Sequence, residues 1–196
     1  MPTKIEMADN NSNCLRITSL NCRSVKSSVR EVVDLCDFSD FVVLQEHCLL
    51  PHELSSLNAI HSNLMSTGMS AVDPSNGILV GRPYGGTAIM YKKKFANNVQ
   101  LLNTADPCIS AVTVDTTVGP LMITSVYVPT NTDDAECFEC FLDTVSKIIA
   151  LYSDSKAVHL VIVGDFNCQY GSSLCQLVED NDLVLSDCKS MRKLLQ

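Results

Sequence analysis

Four residues in this chain stand where apolar, β-favouring runs end, and their types suit work on a phosphate: Asn21, Glu46, Tyr127 and Asp165. The sharpest local signal is Gly164-Asp165-Phe166-Asn167, which follows the apolar run at 158–163. Side chains two apart on an extended segment face the same way, so Asp165 and Asn167 can aim at one point while Phe166 turns into the core. A carboxylate beside an amide suits a hard cation and a phosphate oxygen. The same tetrad also makes an ordinary strand-end turn, because Gly, Asp and Asn are turn formers. Glu46 closes the run Phe41-Val42-Val43-Leu44. A charge there needs solvent, a partner or a metal, and alone it reads most simply as surface charge. Tyr127, inside Ser125-Val126-Tyr127-Val128-Pro129, is by itself an ordinary core or rim tyrosine.

The elements that must position these residues follow from periodicity. Alternation at 15–20 predicts a strand ending at Asn21. Val25, Val29, Val32, Val33 and Cys36 share a helical face, and Ser28 with Glu31 has capping-box spacing. Residues 41–44 predict a buried strand that delivers Gln45 and Glu46. Pro51 opens a short helix with Leu54 and Leu57 facing inward. Residues 62–82 are polar and Gly-bearing and predict a long loop. Gly85-Gly86 opens a strand through Tyr91. Residues 109–115 and 121–128 predict strands joined through Gly119-Pro120. A helical stripe runs from Phe138 to Tyr152. A short helix near Leu174–Val178 and a strand near Leu183–Leu185 close the pattern. Strands alternating with helices predict a layered α/β or α+β sandwich.

Composition narrows the function classes. The chain has 196 residues, 46% hydrophobic and 18% charged, which suits one domain with a real core. No apolar run approaches ~20 residues, so no membrane span is expected. Residues 1–13 are polar and predict a flexible lead-in without a signal-peptide core, which places the chain inside the cell, nuclear or cytoplasmic. Ten scattered cysteines then read as reduced thiols. Cys137 and Cys140 alone have C-x-x-C spacing, with no second pair to build a zinc site. Net charge −8 is poor for gripping a phosphate backbone by charge alone, but leaves room for a carboxylate metal site. Lys92-Lys93-Lys94 reads first as a solvated strand end and second as a phosphate-contacting rim.

Five segments occur in order: Leu20-Asn21-Cys22-Arg23-Ser24, Leu44-Gln45-Glu46-His47, Gly81-Arg82-Pro83-Tyr84-Gly85-Gly86, Val126-Tyr127-Val128-Pro129 and Gly164-Asp165-Phe166-Asn167. Together they resemble the endonuclease/exonuclease/phosphatase superfamily, which has the deoxyribonuclease-like fold. More narrowly, they are similar to the apurinic-type endonuclease domains of non-LTR retrotransposons. The resemblance implies one domain over 14–196, built as a four-layer α/β/β/α sandwich of two packed mixed sheets with the site at one edge. It implies phosphodiester hydrolysis dependent on Mg²⁺ or Mn²⁺, with DNA as partner. Glu46 is implied as the metal carboxylate, and Asn21 as a residue that helps hold the metal or the phosphate. Tyr127 would hydrogen-bond the scissile phosphate, Asp165 would orient or deprotonate the attacking water, and Asn167 would hold a phosphate oxygen. Arg82 and Tyr84 would contact a displaced nucleotide or brace their loop.

The family's pattern closes with Ser-Asp-His on a late strand, and no such segment occurs up to Gln196. Ser186-Asp187-Cys188 follows Asn167 too closely and has cysteine in place of histidine. His159 begins the strand that Asp165 ends, roughly 20 Å away. His47 follows Glu46 directly and in a regular strand points to the opposite face; His52 and His61 read as surface groups. The expectation is therefore a sandwich lacking its last strands, with little or no activity alone and a C-terminal continuation in a longer polyprotein. Two other readings stay open: another phosphoesterase of the same fold acting on nucleotides, RNA or inositol phosphates, and a non-catalytic remnant. Oligomeric state is left open.

Overall fold

The computed structural model describes residues 2–8, 14–77, 79–129 and 134–167. Two runs of alternating or wholly apolar residues separated by an amphipathic helix can bury both faces only as a parallel pair with the helix outside. The chain does this twice. Strand β2 (Cys14–Asn21), helix α1 (Val29–Phe38) and strand β3 (Phe41–Gln45) form one such unit, with β2 and β3 parallel. Strand β8 (Gly119–Tyr127), helix α3 (Asp134–Asp154) and strand β9 (His159–Asp165) form the other, also parallel.

Antiparallel strands extend each unit into a mixed sheet. The first sheet has the order β1-β2-β3-β5-β4, with β1 at Thr3–Ala8, β4 at Leu64–Met69 and β5 at Thr87–Lys92. The second has the order β6-β7-β8-β9, with β6 at Val99–Leu102 and β7 at Ile109–Thr116. A short helix α2 (Leu57–Ile60) follows a 3₁₀ turn at Pro51–Ser56 and buries Leu57. The layers are α/β/β/α. Val32, Leu35 and Cys36 of α1 pack on the outer side chains Leu20, Val42 and Leu44. Ile148 of α3 packs on Ile109, Met122 and Val126.

Several local expectations change. The lead-in expected over residues 1–13 contains β1, because Ile5 tucks against the inter-sheet core and β2 supplies a register for it. The loop expected at 62–82 contains β4 and a 3₁₀ turn at Pro74–Asn76. Ser28 precedes α1 but makes no side-chain cap; its hydroxyl donates to Cys22 O at 2.8 Å and ties the helix start to the end of β2. The helix near Leu174–Val178, the strand near Leu183–Leu185 and Ser186-Asp187-Cys188 lie outside the described residues. Among the described residues no helix is long and apolar enough to cross a membrane.

Between the sheets, side chains two apart on each strand form a graded layer. One end is apolar: Ile17, Phe41, Val43, Ile89, Val112 and Ile123. One step along, the same faces carry Ser19, Gln45, Thr87, Ser110 and Ser125, all buried. Buried polar groups persist where they are hydrogen-bonded, and these are paired across the sheets. Thr124 is the exception on the outer face: its hydroxyl is buried with no partner among the described residues. Thr124→Val keeps the shape and removes that orphan, so unfolding free energy should rise by about 1 kcal/mol in urea titration. A fall would mean that the hydroxyl is satisfied in solution.

Candidate active site

Parallel strands present their carboxyl ends on one side of a sheet, which is where open α/β folds place ligand sites. Here two parallel pairs, one per sheet, end on the same side of the sandwich. Asn21 ends β2, Glu46 follows β3, Tyr127 ends β8 and Asp165 ends β9. The Asn21 side-chain nitrogen donates to Glu46 Oε1 at 2.5 Å and to Asp165 Oδ2 at 2.7 Å. One amide thus holds a carboxylate from each sheet. Tyr127 lies beside Asp165 in the β8–β9 register. Asn167 donates to Val128 O at 2.8 Å and its backbone N–H to Asp165 Oδ1 at 3.2 Å, which braces the turn beneath Asp165.

Glu46 reaches this point because the pleat is broken. Gln45 points between the sheets, so a regular strand would send Glu46 outward. Instead Glu46 is held in the left-handed region at φ +51. Such backbone costs of order 1–3 kcal/mol in a non-glycine residue and persists where surroundings enforce it. His47, beyond the same break, takes no part in the cluster. Its ring is fully buried, accepting from the Leu49 backbone N–H at Nδ1 (3.0 Å) and meeting Met69 O through Nε2 at 2.9 Å. Because Nδ1 accepts, Nε2 carries the proton and donates to Met69. His47 is a structural wall with both nitrogens occupied.

Burial holds the His47 imidazole below its ordinary pKa, against the pull of the Met69 carbonyl. In the unfolded chain it titrates near about 6.5. Between the two values only the unfolded chain takes up the proton, so this contribution is complete above pH ~6.5 and is lost as pH falls through the folded-state value. Thermal midpoints from pH 7.5 to pH 5 should fall for the wild type and fall less steeply for His47→Gln. Parallel slopes would sink this assignment.

Burial, with Glu46 and Asp165 nearby, raises the Tyr127 phenol above its ordinary pKa, so it stays a proton donor at neutral pH. Burial pushes the Cys22 thiol up to about 11, and it also raises Cys48. Neither presents a thiolate at neutral pH, and Cys22 Sγ is bonded to Gln45 O at 3.2 Å. The groups that converge are therefore two carboxylates and the Asn21 NH2; Asn21 Oδ1 accepts from the Arg23 backbone N–H at 3.2 Å, so the oxygens that face a cation are those of Glu46 and Asp165. That set fits Mg²⁺ or Mn²⁺, which bind through one or two carboxylates, waters and substrate phosphate oxygens rather than an all-protein cage. Among the described residues no group of three or more His, Cys, Asp or Glu forms such a cage.

The Gly81–Gly86 segment borders the site. Gly85 O accepts from Cys48 N at 3.0 Å, and a Cβ at Gly85 would lie 3.7 Å from the Tyr127 ring. Arg82 and Tyr84 are exposed, Tyr84 by 60%, and neither joins the hydrogen-bonded cluster. The lysine run is elsewhere. Lys92 and Lys94 pair with Asp40 at 3.5 and 2.7 Å, and Lys93 donates to Ser62 O. Asp40 precedes β3, so this group sits ~20 Å from Glu46 at the other end of the strand. His159 begins β9 and is likewise remote, while His52 and His61 are surface groups, His61 meeting Asp37 at 3.1 Å.

Sequence reasoning missed the layer behind these residues. Ser19 Oγ donates to Gln45 Oε1 at 3.1 Å, Gln45 Nε2 donates to Ser125 Oγ at 3.1 Å, and Ser125 Oγ donates to Leu44 O at 3.0 Å. A signal existed. Ser19 and Ser125 each stand two residues before a site residue on an otherwise apolar strand face.

No family model and no curated protein matches the sequence. Solved structures do match the fold. The human Nocturnin catalytic domain with bound sulfate anion aligns with TM-score 0.62 and 14% identity, over 93% of this chain and 73% of that one. An endonuclease/exonuclease/phosphatase family protein from Bacteroides thetaiotaomicron aligns with TM-score 0.60 and 14% identity, over 92% and 70%. The sandwich is therefore the endonuclease/exonuclease/phosphatase fold. Among its bearers similar to this chain is the endonuclease domain of TRAS1, a telomere-specific non-LTR retrotransposon, with TM-score 0.57 and 11% identity over 85% and 71%.

Proposed function

We propose that this chain binds Mg²⁺ or Mn²⁺ and hydrolyses phosphodiester bonds in DNA, weakly by itself, as an endonuclease domain of retrotransposon type. The observation that carries this reading is the Asn21 amide joining Glu46 and Asp165 across the two sheets. Two carboxylate oxygens within about 5 Å of each other repel, and a divalent cation among them offsets that repulsion. The TRAS1 likeness supports the choice of DNA and of retrotransposon type.

Glu46 would hold the ion, joined by Asn21 once its amide turns Oδ1 from the Arg23 N–H toward the carboxylates, and the ion would neutralise phosphate charge and acidify a bound water. Asp165 orients the attacking water and takes its proton. Tyr127, kept protonated, donates to a phosphate oxygen as charge builds there. Asn167 offers its amide to another, and the exposed Arg82 and Tyr84 meet the strand.

The test is nicking of supercoiled plasmid by the folded chain with Mg²⁺ and with chelator. Relaxed circles that need Mg²⁺ support the reading. Turnover confined to nucleotide, RNA or inositol phosphate substrates would move the chain to another phosphoesterase. Mg²⁺ binding without turnover on any of them would leave a non-catalytic binding module.

A further inference from the structure

The cluster at the strand ends is split between two sheets that touch mainly through apolar side chains. Apolar contact is non-directional and by itself sets no fine register between sheets. Directional contact occurs one step behind the site. Gln45 is only 1% exposed, and both ends of its amide are bonded: Oε1 to Ser19 on β2 in its own sheet, Nε2 to Ser125 on β8 in the opposite sheet. Each member stands one or two residues before a site residue: Ser19 two before Asn21, Gln45 one before Glu46, and Ser125 two before Tyr127. Ser125 also donates to Leu44 O, so β8 holds the backbone of β3 directly before the left-handed kink at Glu46.

We propose that the buried Ser19–Gln45–Ser125 bridge is the positioning device that sets the spacing between the Glu46–Asn21 half of the cation site and the Tyr127–Asp165 half. Its role rests on the cation-site reading above. These are positioning residues, acting on the ion and phosphate only through Asn21, Glu46 and Tyr127. The fold contains its own control. Thr87 Oγ1 and Ser110 Oγ meet at 2.8 Å across the same two sheets, also buried, and neither stands one or two residues before a member of the cluster.

The experiment uses terbium, whose emission tyrosine sensitises; the chain has five tyrosines and no tryptophan. Mg²⁺ competes for the bound Tb³⁺ and yields an affinity without any turnover. In Ser19→Ala/Gln45→Met/Ser125→Ala every bridge side chain becomes apolar together, so no polar side chain is orphaned, only Leu44 O loses a donor, and folding should survive. Its thermal midpoint in chelator should stay near the wild-type value while Mg²⁺ affinity falls about 10- to 100-fold, the usual effect of losing groups that orient metal ligands. Ser110→Ala should lower the midpoint and leave Mg²⁺ affinity unchanged. Ser125→Ala, which removes one hydroxyl, carries the same test if the triple variant does not fold, with about a tenfold loss expected. A folded triple variant that binds Mg²⁺ like the wild type overturns the bridge and leaves the cation site standing. An equal loss of affinity in Ser110→Ala also overturns it, because any buried polar pair would then serve. A wild type that takes up neither ion removes the cation site and its bracing together.

Discussion

Glu46→Ala and Asp165→Ala are each expected to lower Mg²⁺-dependent plasmid nicking by about a thousandfold, with the chain still folded. A cation polarising a phosphoryl oxygen supplies several kcal/mol to the transition state, and every ~1.4 kcal/mol is tenfold in rate. Either variant leaves one carboxylate on the Asn21 amide, which by itself is a weak cation site. Stability should move the other way. In chelator the wild type keeps two carboxylates within about 5 Å, held by one amide. Deleting one relieves that repulsion, so the midpoint in chelator should match or exceed the wild-type value. The rise that Mg²⁺ gives the wild type, as any ligand of the native state does, should vanish. Circular dichroism melts with and without Mg²⁺, beside the nicking assay, separate these effects. Full nicking by either variant would remove the carboxylates from the chemistry.

The second large effect concerns a residue with no side chain. Gly86→Ala should destabilise the fold by about 3–5 kcal/mol, a sum of positive-φ strain and overpacking. Gly86 has φ +83, and a Cβ there would sit 2.5 Å from His47 Nε2 and 2.9 Å from Met69 O. Those two atoms are hydrogen-bonded to each other, so the methyl would wedge into that bond. His47 cannot swing away without also releasing the Leu49 N–H. In a chain of this length the thermal midpoint should drop by about 10–15 °C. The clash is separable from the strain: Gly86→Ala added to His47→Ala should cost clearly less than Gly86→Ala added to the wild type. Equal costs would show that His47 is not the obstacle.

The residues that were legible in advance are those that end almost wholly apolar runs: β3 is buried throughout, while β9, at the edge of its sheet, buries Val163 and half-buries Leu160, Val161 and Ile162. Phe41-Val42-Val43-Leu44 and the apolar part of 158–163 admit few other readings, and the polar residues that end them stand out. The strands that escaped notice, β1, β4 and β6, are all at sheet edges. No residue of β6 is buried, and Leu64 is the one buried residue of β4. Such segments take their conformation from a neighbour's register rather than from their own pattern. Ser28 and Glu31 had the spacing of a cap, but the hydroxyl found a better-placed acceptor in Cys22 O. Gln45 was hidden for a related reason: a polar residue beside Glu46 reads as strand end, and only the opposite sheet reveals that it faces inward. The left-handed kink at Glu46 is likewise not announced by the sequence, which is why the burial of His47 behind it was not foreseen.

The division of the site between two βαβ units also bears on how the molecule comes apart. Asn21 and Asp165 are 144 residues apart, so their hydrogen bond can form only once the two halves of the chain have docked. Interactions absent from the folding transition state act on the rate of unfolding and leave the rate of folding almost untouched. An ion seated among these residues would therefore work as a latch that closes last, prolonging the lifetime of the assembled molecule without helping it to assemble.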